Sequence, residues 1–361
     1  MARAVSAYWL ITRKHPPSVG GMQQLSWHIV RQVRAGLPTV VVKWRRGNWG
    51  LPLFLPWAAL RLALALLAGR VRAVHLGDPV LAALAVLARW RGVPVAVTVH
   101  GLDISYPNRL YQAYLDRFFW GRMQAYVCIS SHVEAMVAAR GVPRPLIHRV
   151  PVGAPEPPAP DPAALPAAAA GASPLLCSVG RLVERKGIAW FVDQVLPAWL
   201  PRHPEAAFVI GGEGPARERI EAAITRHALS HQVHLLGAID ERSKWALLAA
   251  SDLVVMPNRP VPDDVEGFGL AVLEAGVAGS YVLAADLEGL RDAVLPGCNG
   301  EHVPSGDVAA WLARLDALCA DRPALASRGA SARGVVARAF GWDVIGQQYR
   351  RILEQLAHGT G

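Results

Sequence analysis

Carboxylates are scarce where cations are dense. Residues 1–150 hold four acidic side chains (Asp78, Asp103, Asp116 and Glu134) against 19 lysines and arginines, a net charge of +15. The remainder carries 24 acids against 18 bases, a net of −6, so the whole 361-residue chain stands at +9. Such asymmetry points to an anionic partner for the first half only. Cysteine is nearly as sparse. Cys128, Cys177, Cys298 and Cys319 lie far apart with no CxxC pair, which argues against a zinc site or a disulfide framework and fits a reducing cytosol. The N-terminus lacks the apolar core and small-residue cleavage site of a signal peptide. No GxxxxGK[ST] loop occurs, no GxGxxG follows a strand, and no Asp-x-Asp is present beyond a weak DLE at 286–288. A P-loop nucleotide site and an Asp-x-Asp metal site are therefore not expected. No repeat of solenoid length is visible.

The chain does contain short apolar runs alternating with helical segments. VPVAVTV (93–99), AYVCIS (125–130), LLCSVG (175–180), AAFVIG (206–211) and DLVVMP (252–257) read as strands buried on both faces. Between them, 154–174 is almost wholly Ala and Pro and reads as a stiff linker. The pattern predicts an α/β protein of two Rossmann-like, doubly wound parallel-sheet domains facing across a cleft, at 1–153 and 175–341, with a C-terminal helix, 342–361, packing back on the first. One segment differs. KWRRGNWG (43–50) precedes LPLFLPWAALRLALALLAG (51–69), which Pro52, Pro56 and Arg61 make a poor membrane span. Two readings stay open and are compatible. It is an outer helix on the first sheet, or it meets an anionic lipid surface through Lys43, Trp44, Arg45, Arg46 and Trp49, each cation contributing about 1 kcal/mol. Nucleic acid has only charge in its favour and no binding motif.

The stretch EGFGLAVLEA, Glu266–Ala275, places Glu274 inside an apolar run, where a carboxylate needs a partner from protein or ligand. It closes a series of strand-end turns with phosphate-friendly chemistry. The first carries Gly180, Arg181 and Lys186, the second Gly212, and the third runs from Asn258 to a helix N-terminus. Arg181 and Lys186 can supply charge for a diphosphate.

These blocks, with VGGMQQLSWHIV (19–30), VTVHGLDI (97–104) and FGWDVIGQQYRRIL (340–353), resemble glycosyltransferase family 4, the retaining, nucleotide-sugar-dependent enzymes of GT-B fold. The resemblance implies that Glu274 binds the donor ribose and Glu266 sits by the transferred sugar. It implies that the backbone of Gly267, Phe268 and Gly269, with Leu270 opening the helix, meets the diphosphate between Arg181 and Lys186. Were the helix continuous, eight residues would separate the two glutamates by about 12 Å. It further implies that His100 contacts the donor sugar and that Gly20 and Gly21 approach the donor phosphate or the acceptor. The expected reaction moves a hexose from a UDP- or GDP-linked donor, the base being unreadable, with retention and with no cofactor or metal. The expected acceptor is a lipid-linked or other glycan at the cytoplasmic membrane face, in polysaccharide, lipopolysaccharide or glycolipid assembly. Peripheral attachment to the inner face of the plasma membrane is expected with it. A non-catalytic partner subunit and a GT-B sugar-nucleotide epimerase are the alternatives. The chain departs from the family pattern at Pro151-Val152-Gly153, at Gly279-Ser280-Tyr281, at Asn258 and in the 259–265 loop.

Overall fold

Runs rich in valine and isoleucine form strands because branched side chains fit a pleated surface covered on both faces. The computed structural model describes residues 6–16, 21–44 and 50–359. Its first parallel sheet contains β1 (Ala7–Thr12), β2 (Thr39–Lys43), β3 (Val71–Leu76), β4 (Val95–Val99), β5 (Ala125–Cys128) and β6 (Ile147–Arg149), in the order β2-β1-β3-β4-β5-β6. Its second contains β7 (Leu175–Val179), β8 (Ala207–Gly211), β9 (Val233–Gly237), β10 (Leu253–Met256), β11 (Tyr281–Ala285) and β12 (Gly300–Val303), in the order β12-β11-β10-β7-β8-β9. All five runs read as strands from the sequence are strands. Compact units follow the sheets. One holds the residues up to Gly153 with those from Gly341, and the other is Ala154–Phe340.

In the first unit, the steps from β2 to β3, β4 and β5 progress one way across the sheet. Right-handed crossovers then place the helices Leu51–Leu67, Ala85–Trp90 and Arg109–Phe118 on one face. The step from β1 to β2 runs the other way and puts Gly21–Gly36 on the opposite face. There Trp342–His358 packs on it: His28 stacks on Trp342 at 4.3 Å, and Arg350 Nη1 donates to the Gln32 carbonyl at 2.6 Å.

The helix Leu51–Leu67 resolves part of what the sequence left open. Phe54, Ala58, Leu62, Ala65 and Leu66 are buried, while Leu53, Trp57, Leu60, Leu64 and Leu67 are exposed. Pro56 removes one backbone donor in its second turn without ending it. Among the described residues no helix is long and apolar enough to cross a membrane.

The second unit is centred on Trp199, Trp311, Phe191 and Phe208, all fully buried. Phe191 meets Phe208 and Trp311 edge-on at 5.4 and 5.5 Å. Each such ring contributes about 1.5–3 kcal/mol by leaving water. The Ala/Pro stretch 154–174 does not hang free as a spacer. Asp161 pairs with Arg242, Ser173 with Arg322, and Ala169 is buried.

Candidate functional site

In the second sheet, β7 and β10 are neighbours, yet the chain leaves β7 toward β8 and β10 toward β11. The loops diverge there, and an open α/β sheet forms its ligand crevice at such a switch point, beyond the carboxyl ends of the strands. A small pocket at this position is lined by Gly180, Arg181, Lys186, Met256 and Asn258.

The loops meet on one carboxylate. Lys186 Nζ donates to Glu266 Oε2 at 2.6 Å, and Asn258 Nδ2 donates to the same oxygen at 3.0 Å. Arg185 Nε lies 3.6 Å from it, and Arg185 Nη1 donates to Asp264 Oδ1 at 2.8 Å. Glu266 is 8% exposed. Burial pushes its carboxyl upward, but Lys186, Arg185 and Asn258 outweigh that and hold it below the usual range. Its backbone N–H donates to the carboxylate of Glu288, and its carbonyl accepts from Gly289 N–H at 3.0 Å. The DLE stretch therefore braces this loop, and Asp286 pairs with Arg291 at 2.6 Å. Two buried polar atoms here, Arg185 Nε and Asn258 Oδ1, have no hydrogen-bond partner among the described residues, the condition in which a ligand or water is called for. Arg181 is exposed and has no ion pair among the described residues, leaving its guanidinium available to an anion.

Glycine shapes two of these turns. At Gly187 φ is +67°, and a Cβ would fall 1.9 Å from the Pro257 carbonyl oxygen, so only glycine lets the Lys186 and Asn258 loops close together. At Gly212 φ is +148°, and a Cβ would meet the Gly180 oxygen at 1.8 Å. The GGEGP turn thus abuts the Gly180–Leu182 loop, with Gly180 N–H donating to Gly211 O at 2.9 Å and Leu182 N–H to Glu213 O at 2.8 Å.

The helix begins at Leu270, after Gly269, so Glu266 stands in the preceding loop and the continuous-helix spacing does not apply. Phe268 turns its ring into the core, 5.9 Å from Phe340, which leaves backbone rather than side chain for a ligand beside Gly267 and Gly269. Glu274, one turn into that helix, accepts from Lys244 Nζ at 2.9 Å, the two side chains 15% and 14% exposed. Burial alone would depress the Lys244 ammonium; Glu274 and Glu241 reverse the direction and raise it. The cation for this partly buried glutamate is thus supplied by the helix Glu241–Ala250, capped by Asp240 onto Ser243 N–H.

In the first unit, His100 follows β4. Its backbone N–H and Nδ1 both face Asp103, Nδ1 at 3.0 Å from Oδ2. Nδ1–H donating to that carboxylate leaves Nε2 as the acceptor of the neutral ring. His100 lines a small pocket with Thr12, Ser26, His75 and Gly77. Beneath it, His75 Nε2 contacts Thr98 Oγ1 at 2.8 Å, which meets Tyr349 OH at 3.2 Å. Burial and the neighbouring His100 drive the His75 pKa down to about 4. Gly21 is the exposed first residue of its helix, and Gly20 lies outside the described residues. Lys43 ends β2, and Trp44 packs its ring 5.6 Å from Phe54; Arg45, Arg46 and Trp49 lie outside the described residues. Lys244, Arg185, Glu288 and Asp103 escaped the sequence reading. Only the need of Glu274 for a cation hinted at the first.

Residues 167–335 match the family of glycosyl transferases group 1, and 6–153 match the glycosyl transferase 4-like domain. The glycogen synthase of Mycobacterium tuberculosis is 30% identical over 170 residues, 47% of this chain and 40% of the relative. A GDP-mannose-dependent monoacylated alpha-(1-6)-phosphatidylinositol monomannoside mannosyltransferase of Corynebacterium glutamicum is 31% identical over 186 residues, 50% of this chain and 47% of the relative. The chain therefore spans about half the length of the curated relatives it matches. The Anabaena protein HepE, solved with UDP-glucose, shares the fold at a TM-score of 0.72 with 17% identity, over 97% of this chain and all of that one.

Proposed function

The chain belongs to glycosyltransferase family 4, and from that premise we propose that it moves a hexose from a nucleotide diphosphate sugar to an acceptor hydroxyl. The observation that carries the reading is the cluster at the ends of β7 and β10. Arg181 has no ion pair among the described residues, Lys186 is held on buried Glu266, and the helix N-terminus at Leu270 follows. Fixed cations and N–H groups at that point would stabilise the departing diphosphate without reorganising during reaction. Glu274 would accept from the ribose hydroxyls while Lys244, bonded to its Oε1, fixes its orientation. His100 would offer Nε2 to a sugar hydroxyl.

Glu266 is a poor nucleophile here, because Lys186 and Asn258 engage one carboxylate oxygen and Arg185 stands beside it. That supports attack by the acceptor on the face the leaving group departs from, with retention and no protein-bound intermediate. Arg181, Lys186 and the helix N-terminus would meet the diphosphate charge without a metal. GDP-mannose in one relative and UDP-glucose in one structural neighbour make mannosyl or glucosyl transfer the first to try. The acceptor is proposed to be lipid-linked. The exposed leucines of Leu51–Leu67 and the basic first unit favour work at the cytoplasmic membrane surface.

The test is incubation with UDP- and GDP-linked glucose and mannose, following nucleotide release and the anomeric configuration of the product by proton NMR. Release from one donor is expected, water taking the sugar, with the free sugar appearing first as its α-anomer. An inverted product would overturn the mechanism, and a chain that binds but never turns over any donor would favour a non-catalytic subunit.

A further inference from the structure

The helix face that carries Leu51–Leu67 holds a second feature that the sugar-transfer reading leaves unused. Helix Ala85–Trp90 packs beside Leu51–Leu67, and between it and the segment Arg117–Arg122 lies an open groove of about 340 Å3. Arg89, Arg117 and Arg122 line it together with Val86, Trp90 and Phe118. All three arginines are exposed, and none has a side-chain hydrogen bond or an ion pair among the described residues. Among the described residues no carboxylate lines the groove. The nearest in sequence, Asp116, faces Arg140 at 3.9 Å. Trp90 is 72% exposed, and Arg91 and Arg117 sit over the Trp90 and Phe118 rings at 5.7 and 5.3 Å.

Three like charges brought together with no counter-charge cost stability, and they are worth holding only if an anion joins them. An apolar floor beside them excludes a bare, strongly hydrated ion as the natural occupant. The neighbouring helix adds Leu53, Leu60, Leu64 and Leu67, all exposed, on a face with no acidic residue. Guanidinium groups match phosphate oxygens in bidentate geometry, and tryptophan favours the headgroup level of a bilayer.

We propose that this groove binds the phosphate of an anionic phospholipid, with the outward face of Leu51–Leu67 resting in the bilayer interface beside it. The proposal rests on the membrane-surface reading above and deepens it, replacing diffuse attraction by a defined headgroup site.

The test is sedimentation of the full chain with vesicles of phosphatidylcholine alone or with 30 mol% phosphatidylglycerol, roughly the anionic content that gives a surface potential of tens of millivolts. Three arginines near such a surface should change partitioning by about a hundredfold. The variant Arg89→Gln/Arg117→Gln/Arg122→Gln is therefore expected to lose at least about tenfold. A control of equal charge on the opposite face, Arg31→Gln/Arg34→Gln/Arg351→Gln, should lose much less. Calorimetric binding of nucleotide, measured on each variant, reports that the protein is folded and its donor site intact. Should the triple variant fold poorly, Trp90→Ser with Phe118→Ser removes the apolar floor and should weaken vesicle binding alone. Equal losses for both arginine sets would overturn the groove while leaving the membrane reading standing. Absence of binding to either vesicle would overturn both. Inorganic phosphate bound through these arginines, with no vesicle binding, would show a free-phosphate site and defeat the lipid assignment.

Discussion

Lys186→Ala is expected to lower the rate of donor turnover by about two to three orders of magnitude, the usual effect of removing one preorganised donor from a developing anion. Stability should fall with it. Glu266 stays buried, and removing one partner of a buried pair leaves an uncompensated charge costing up to about 3–5 kcal/mol. Asn258 still donates and Arg185 still stands nearby, so the loss belongs at or below the lower end of that range. The double variant Lys186→Ala/Glu266→Gln removes the stranded charge. It should regain most of the melting temperature and none of the activity. Acid provides an independent check. The folded-state pKa of Glu266 is depressed, so its contribution is complete above about pH 4.5 and is lost as pH falls through the folded value. The stability gap between wild type and Lys186→Ala should accordingly narrow on acidification below that point. A gap that stays constant with pH would mean that Lys186 acts by packing alone.

Glu274→Ala should weaken nucleotide binding by about ten- to a hundredfold, the value of hydrogen bonds to a charged acceptor. The loss should be confined to the ribose. Wild type should prefer a ribonucleotide to its 2′,3′-dideoxy analogue, and the variant should not distinguish them. Lys244→Met, which strands Glu274 without removing it, should destabilise the second unit and reduce affinity less. If Glu274→Ala lowers the melting temperature yet leaves both nucleotides bound as before, Glu274 is only the counter-ion of Lys244. Calorimetry on the three proteins separates these outcomes.

Much of this site could be read in the chain because its signals are local. Apolar runs ended by glycine fixed β7 and β8, a run ended by Pro257 fixed β10, and EGFGLAVLEA fixed the turn and helix that follow. What could not be read depends on pairings between distant segments. Lys244 reaches Glu274 across 30 positions, Arg185 reaches Asp264 across 79, and Glu288 anchors the Glu266 N–H across 22. No periodicity or spacing announces such partners. Phe268 shows the converse. It sits inside the motif, yet its ring serves the core against Phe340. The segment 51–69 was ambiguous for a physical reason, since it is apolar on every side, and only packing reveals which face the sheet covers.

If the loops after β7 and β10 form a diphosphate cradle, calorimetry must distinguish a nucleoside diphosphate from its monophosphate. UDP and GDP would be titrated beside UMP and GMP into wild type and Arg181→Ala. One diphosphate should bind wild type at least about tenfold more tightly than its monophosphate. Arg181→Ala should erase most of that difference. Equal affinity for mono- and diphosphate in wild type, or no nucleotide binding at all, would contradict the cradle.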